Sequence, residues 1–257
     1  IENLLEKSTK EQLISDVPLG AFLSGGVDSS LIVSLMSEIR PHSTKTFTIG
    51  FEDKTYDEST SAKEIASYLG TEHIEQVLTE DELLEIIPSI PLYYSEPLGD
   101  SSQIPTILLS KLARKHVTVA LTGDCGDELF GGYKTYKLAI QSWKVVSSLP
   151  TILKKMLRKV LTVLKVQGKY KKFTNLLEAQ SKEELFFLLT QHLPDNKSIF
   201  NSGLIFDSSL HNSIYVDWPS IECFEEWMMF VDFRRYMTDD ILAKVDRASM
   251  ASSLETR

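Results

Sequence analysis

Along the first half of the chain, short apolar runs alternate with longer stretches in which apolar residues recur every third or fourth position. The runs VPLGAFLS (residues 17–24), KTFTIGF (45–51), HIEQVL (73–78) and VTVALTG (117–123) read as strands; Pro18 and Gly20 fit only the start of the first. Between them, IENLLEKSTKEQLIS (1–15), SSLIVSLMSEI (29–39), YDESTSAKEIASYLG (56–70), TEDELLEII (79–87) and SSQIPTILLSKLARKH (101–116) carry helical spacing. Asp57 is a plausible N-cap and Gly70 a stop for the third of these, and the acidic first turn of the fourth suits the helix dipole. Strands apolar on both faces, alternating with helices, predict an α/β fold, a parallel sheet flanked by helices. From Lys134 onward strand signals fade, so the expected division is an α/β core over 1–140 followed by a mainly helical region over 141–257.

Composition adds little to that picture, but charge narrows it. With 257 residues, 42% hydrophobic and 25% charged, the chain can bury a sizeable core. Its net charge of −9 argues against a surface built for nucleic acid or anionic membrane, so polyphosphate binding would need local donors and metal ions. Cys125 and Cys223 form no CxxC pair and read as reduced thiols in a cytoplasmic protein. No apolar run is long enough to span a bilayer. Residues 154–172 hold eight Lys/Arg and no acid. A basic solvated face on a packed helix is the favoured reading there, with a membrane-surface or partner-binding helix as the alternative. A start at Ile1 without methionine and an end on SLETR read as a piece of a longer polypeptide.

Two strings carry chemistry. FLSGGVDSSL (22–31) lies between the first strand and a helix, where α/β folds bind ligands. Gly25-Gly26 permits a tight turn, Ser24, Ser29 and Ser30 offer hydroxyls, and the helix N-terminus adds partial positive charge. The string is neither GxxxxGK[ST] nor GxGxxG. Asp28 would repel phosphate unless both shared a divalent cation. LTGDCGDELFGGY (121–133) crowds Asp124, Asp127 and Glu128 behind another strand, a set of hard oxygen ligands suited to Mg²⁺.

SGGVDSS matches the SGGxDS[ST] loop of the PP-loop ATP pyrophosphatases, a branch of the adenine nucleotide alpha hydrolase-like fold. LTGDCGDELFGGY resembles the GDGGDELFGGY signature of the asparagine synthetase family. TFTIGF with YDES, SEPLGDSSQIPTILLSKLARKHV and DDILAKVDRASMASSLETR resemble further parts of that family's synthetase domain, and only residues 137–225 lack a specific motif. The resemblance implies ATP and Mg²⁺ as cofactors. It implies attack of a carboxylate, aspartate above all, on the α-phosphate, then amide formation with ammonia from a glutaminase domain. Ser24, Gly25, Gly26, Asp28 and Ser29 would hold pyrophosphate, Leu23 and Ile49 would border the adenosine, and Gly123 would pass close to the nucleotide. Asp28 and Asp127 would hold the metal. Asp124, Lys244 and Arg247 are the catalytic candidates, and Asp100, Ser101 and Ser102 the acceptor-binding ones. The resemblance is also compatible with a homodimer.

Departures from the pattern shape further expectations. Asp124 stands where many asparagine synthetases carry Glu, which puts strict aspartate specificity in question; Cys125 replaces a glycine and reads as a buried small residue. Tyr56, Asp57 and Glu58 are candidates for nucleotide contact, although Asp57 as a cap suffices, and His73 reads as a strand residue. Nothing matches the glutaminase domain, and the family's downstream active-site lysine would lie beyond Arg257. The alternatives are the same adenylation chemistry on another carboxylate, as in β-lactam synthetases, or a nucleotide-binding module without turnover. RNA-modifying PP-loop proteins are disfavoured by acidity and by the DELFGGY string.

Overall fold

The computed structural model describes residues 1–41, 43–55, 57–163, 174–190 and 219–257. The elements of the sheet region are α1 (Glu2–Gln12), β1 (Leu19–Phe22), α2 (Val27–Ile39), β2 (Lys45–Phe51), α3 (Ser59–Leu69), β3 (Glu72–Leu78), α4 (Glu80–Ile86), α5 (Ile90–Tyr93), α6 (Gln103–Arg114) and β4 (Val119–Leu121). They are followed by α7 (Gly126–Phe130), α8 (Lys134–Ser148), α9 (Thr151–Val163), α10 (Lys182–Thr190), α11 (Phe224–Arg234), α12 (Leu242–Met250) and β5 (Glu255–Thr256). A π-helical turn, Met237–Ile241, leads into α12.

All five strands run parallel in the order β3-β2-β1-β4-β5. Side-chain alternation on the central strands divides the core between two faces. Ala21 and Leu121 face a cluster with Leu13, Val33, Met36, Ala62 and Ala66, from the end of α1, α2 and α3. Phe22 and Ala120 face the other side, with Phe47, Leu112, Ala113, Val117 and Leu254. Burial on both faces explains why these strands read as continuous apolar runs. Gly20 is fixed by packing, since a Cβ there would sit 2.6 Å from the Phe47 ring.

Local chemistry sets the helix ends. Gly70 ends α3 at φ 68°, where a side chain would be strained. Thr79 and Glu82 form a reciprocal capping box at the start of α4: the Glu82 amide donates to Thr79 Oγ1 and the Thr79 amide to Glu82 Oε2. Helix α3 starts at Ser59, with Glu58 rather than Asp57 in the cap position. Asp57 Oδ1 instead accepts from the amides of both Phe51 and Ser59, tying the end of β2 to the start of α3.

The chain divides into two compact units, one of residues 1–129 with 232–257 and the other of 130–231. This differs from the expected boundary at 140, because the last segment returns to the sheet region: β5 pairs with β4 and Leu254 is fully buried. The second unit has its own aromatic-rich cluster, with Tyr136, Leu185, Phe186, Phe224 and Met228 at its centre.

Candidate active site

Strand order places the two motif loops together. The chain steps from β1 outward to β2 and β3, then crosses back so that β4 joins the other side of β1. Ala21 pairs with Leu121, so the loops after β1 and β4 leave the sheet side by side at its carboxyl edge. In open α/β sheets the ligand crevice forms at this reversal of strand order.

The first loop holds itself in shape. Gly25 has φ 82°, and a Cβ would lie 2.9 Å from Ser61 Cβ, so only glycine permits the approach to α3. Ser24 Oγ and Ser29 Oγ lie 3.0 Å apart, the Ser24 amide donates to Ser29 Oγ, and Ser30 Oγ donates to the Gly26 carbonyl at 2.6 Å. Gly26 is the N-cap of α2, and no side chain among the described residues caps that end. The helix therefore presents its N-terminal field into the loop. Leu23 is core: its side chain is buried, its amide donates to the Phe47 carbonyl, and its own carbonyl accepts from Thr48 Oγ1. Ile49, on neighbouring β2, packs against the cluster on the opposite face from Leu23.

The second loop is pressed against the first. A Cβ on Gly123 would lie 2.5 Å from the Ser29 amide nitrogen, and one on Gly126 would lie 2.5 Å from Asp28 Cγ. Both glycines are thus required by contact with the Asp28-Ser29 segment. Burial raises the Asp127 carboxyl above its usual range, and the negative charges of Asp28 and Glu128 push it further up. Asp124 reaches solvent yet has protein on most sides; that desolvation, with Glu128 and Asp100, outweighs the lowering effects of Thr122 and Lys244. Glu128, named in the acidic string but not among the site residues, is almost completely buried. Cys125 stands at φ 73°. Its thiol is pushed up to about 11 by burial and by Glu128 and Asp124, which removes it as a nucleophile at neutral pH.

Beside this lies a closed polar cluster. Lys244 on α12, almost fully buried, donates to Asp100 Oδ2 at 2.7 Å and to Ser102 Oγ at 2.8 Å. Ser102 donates through its amide to Asp100 Oδ1 and through its hydroxyl to Oδ2. Tyr94 Oη donates to the Lys244 carbonyl. Asp100 and Ser102 thus serve the start of α6 and the buried ammonium together, while Ser101 is exposed. Arg247, also on α12, is exposed. Sequence reasoning missed Tyr236, whose hydroxyl is pushed up to about 12 by burial and by Asp100, Asp240, Glu128 and Asp232. It precedes the π-helical turn, a local form common at functional sites, and no sequence signal marks it. His73 sits on β3 with Nδ1 3.0 Å from Thr46 Oγ1, and burial lowers its pKa. Tyr56 lies outside the described residues.

No group of three or more His, Cys, Asp or Glu among the described residues is arranged to hold a metal. The charge of Asp28 does reach the Asp127 carboxyl, and Mg²⁺ commonly takes only one or two protein carboxylates, completing its shell with phosphate oxygens and water.

Fold and site together define an α/β protein in which a glycine-serine loop, a helix N-terminus and clustered carboxylates meet at the strand-order reversal. The chain belongs to the asparagine synthase family, whose model matches residues 1–257. It is 36% identical over its whole length to asparagine synthetase [glutamine-hydrolyzing] 1 of Bacillus subtilis, covering 41% of that protein. It is 37% identical over 97% of its length to a putative asparagine synthetase [glutamine-hydrolyzing] 2 of Methanocaldococcus jannaschii, covering 48% of it. The chain therefore spans less than half the length of these curated relatives. A solved NH3-dependent NAD synthetase from Campylobacter jejuni aligns over 74% of this chain and 95% of its own, with 15% identity and a TM-score of 0.37. That likeness is too low to define the fold, which the strand order defines by itself.

Proposed function

We propose that this chain is the ATP-dependent, AMP-forming amide synthetase part of a glutamine-hydrolysing asparagine synthetase acting in the cytoplasm. The observation that carries the reading is the contact of the two loops, Gly123 against the Ser29 amide and Gly126 against the Asp28 carboxylate. These contacts bring the phosphate donors of the first loop against the carboxylates of the second. In this reading an aspartate carboxylate attacks the α-phosphorus of ATP, pyrophosphate leaves, and ammonia from a glutaminase domain displaces AMP to form the amide. The serine hydroxyls of the first loop exchange their mutual hydrogen bonds for pyrophosphate oxygens, and the α2 N-terminus stabilises the charge that develops there. Asp28 and Asp127 would hold Mg²⁺, which supplies neutralisation of the polyphosphate charge. Lys244, held by Asp100 and Ser102, positions the acceptor side, and Asp124 faces the reacting carboxylate.

The test is AMP and pyrophosphate release by the intact polypeptide with ATP, Mg²⁺, ammonium and a panel of carboxylates. Aspartate-dependent AMP is the expected result, and its absence in an active preparation overturns the asparagine assignment. AMP formation on another carboxylate retains the chemistry and changes the acceptor, the outcome that the shorter Asp124 side chain would favour. An Asp28→Asn variant is expected to lose at least about a hundredfold in turnover. Full Mg²⁺-dependent turnover in that variant removes Asp28 from the metal site.

A further inference from the structure

Helix α9 has no place in this chemistry, and its side chains are distributed unusually. Its sequence TILKKMLRKVLTV carries Lys154, Lys155, Arg158 and Lys159 and no acid. At 3.6 residues per turn these four fall on one half of the helix, while Ile152, Leu153, Met156, Leu157 and Val160 fall on the other. The expected solvated basic face is present at Lys155, Arg158 and Lys159, but the apolar half is open as well, and residues 164–172 of the basic stretch lie outside the described residues. Ile152 is 76% exposed, Met156 61% and Val160 55%, with Leu153 and Leu157 also exposed. The helix is held along one edge, by Leu161 against the core cluster of its unit and by an ion pair between Arg158 and Glu178. The three lysines make no ion pair among the described residues.

We infer that α9 is an interfacial helix that docks on an anionic lipid surface, its apolar face entering the headgroup boundary and its lysines meeting lipid phosphates. Charge selects this occupant. A second copy laid face to face would bring two lysine-flanked helices together, with no acid on either to offset the repulsion. An anionic bilayer answers both halves of the helix at once, apolar contact below and negative charge at the rim. No helix among the described residues is long and apolar enough to cross a membrane, and docking through one amphipathic helix is peripheral and reversible.

The experiment is co-sedimentation of the intact protein with vesicles of phosphatidylglycerol and phosphatidylcholine in equal parts, against phosphatidylcholine alone, at low and high salt. Binding to the anionic vesicles only, weakened by salt, is expected. Met156→Glu should weaken it at least about tenfold with an unchanged melting temperature, since that side chain is exposed in the free protein. Lys155→Glu with Lys159→Glu should weaken it as well. Binding that Met156→Glu leaves intact is electrostatic adhesion alone and overturns the docked helix. No vesicle binding also overturns it. In that case, a lower melting temperature in Met156→Glu identifies the occupant as another segment of this chain, and loss of a dimer identifies it as a second copy.

Discussion

Cys125 occupies the left-handed region that side chains rarely adopt, at the point where the acidic loop turns against Asp28. The family signature carries glycine there, so the sequence held a clue to this conformation, though not to the neighbour that imposes it. A β-branched residue fits that region worst, and Cys125→Val should cost about 1–2 kcal/mol in urea unfolding. Cys125→Gly should cost less than about 1 kcal/mol, because lost contact is offset by relief of the backbone. With its thiol near 11, Cys125 should also alkylate far more slowly at pH 8 than the exposed Cys223, which mass spectrometry can follow. Asp127 allows a test with a definite sign. Its folded-state pKa is raised by burial first, then by Asp28 and Glu128, so ionisation opposes folding at all pH values above that pKa. Asp127→Asn should therefore raise the melting temperature of the ligand-free protein at pH 7. The gain should shrink as pH falls toward 3.8, where the wild-type carboxyl protonates in both states. The same variant should lose the extra stabilisation that Mg²⁺ with ATP gives the wild type. A variant that is less stable at pH 7, or that keeps the Mg²⁺ effect, would contradict this account.

At the scale of elements, the pair α6 and α12 is joined by residues 144 positions apart, Lys244 and Asp100. Replacing Lys244 by methionine leaves a largely buried carboxylate without its cation, and should cost about 3 kcal/mol or more. Burial alone would raise the Asp100 carboxyl, but Lys244 and Ser102 together bring it below the usual value. Its contribution is thus present above pH 3.8 and fades as pH falls through the lowered folded-state pKa. The stability gap between wild type and Lys244→Met should accordingly narrow in acid, a comparison that unfolding at pH 7 and about pH 3 can make. Local signals served the single elements well: the strands were legible as apolar runs and the end of α3 as a glycine. The start of α3 was misplaced because the Asp57 carboxylate is shared with the amide of Phe51, a contact across a turn that helix-cap rules do not contain. Lys244 and Asp100 each stood in a motif-like stretch, but their pairing depends on how α12 packs on α6.

For the whole molecule, the order in which strands join matters more than their number. The two phosphate and carboxylate strings were legible as motifs, while their meeting depends on β4 pairing with β1 rather than with β3. No pattern within a single strand encodes that choice. The return of the last segment was hidden for the same reason, since two residues of strand make no apolar run. Yet this segment completes the unit that holds the site. It supplies Lys244 to Asp100, buries Leu254 and Ala248, and bonds the Thr122 amide of the acidic loop to the Arg257 carbonyl at 2.9 Å. A chain ending at Val231 would expose the edge of β4, leave Asp100 without its cation and open the core beneath α6. It should therefore aggregate or unfold without cooperativity, and thermal melting should show no stabilisation by Mg²⁺ with ATP even where secondary structure persists. If the truncated chain melted at the wild-type temperature and kept that stabilisation, the first unit would end at Leu129. Residues 232–257 would then be an accessory to the fold.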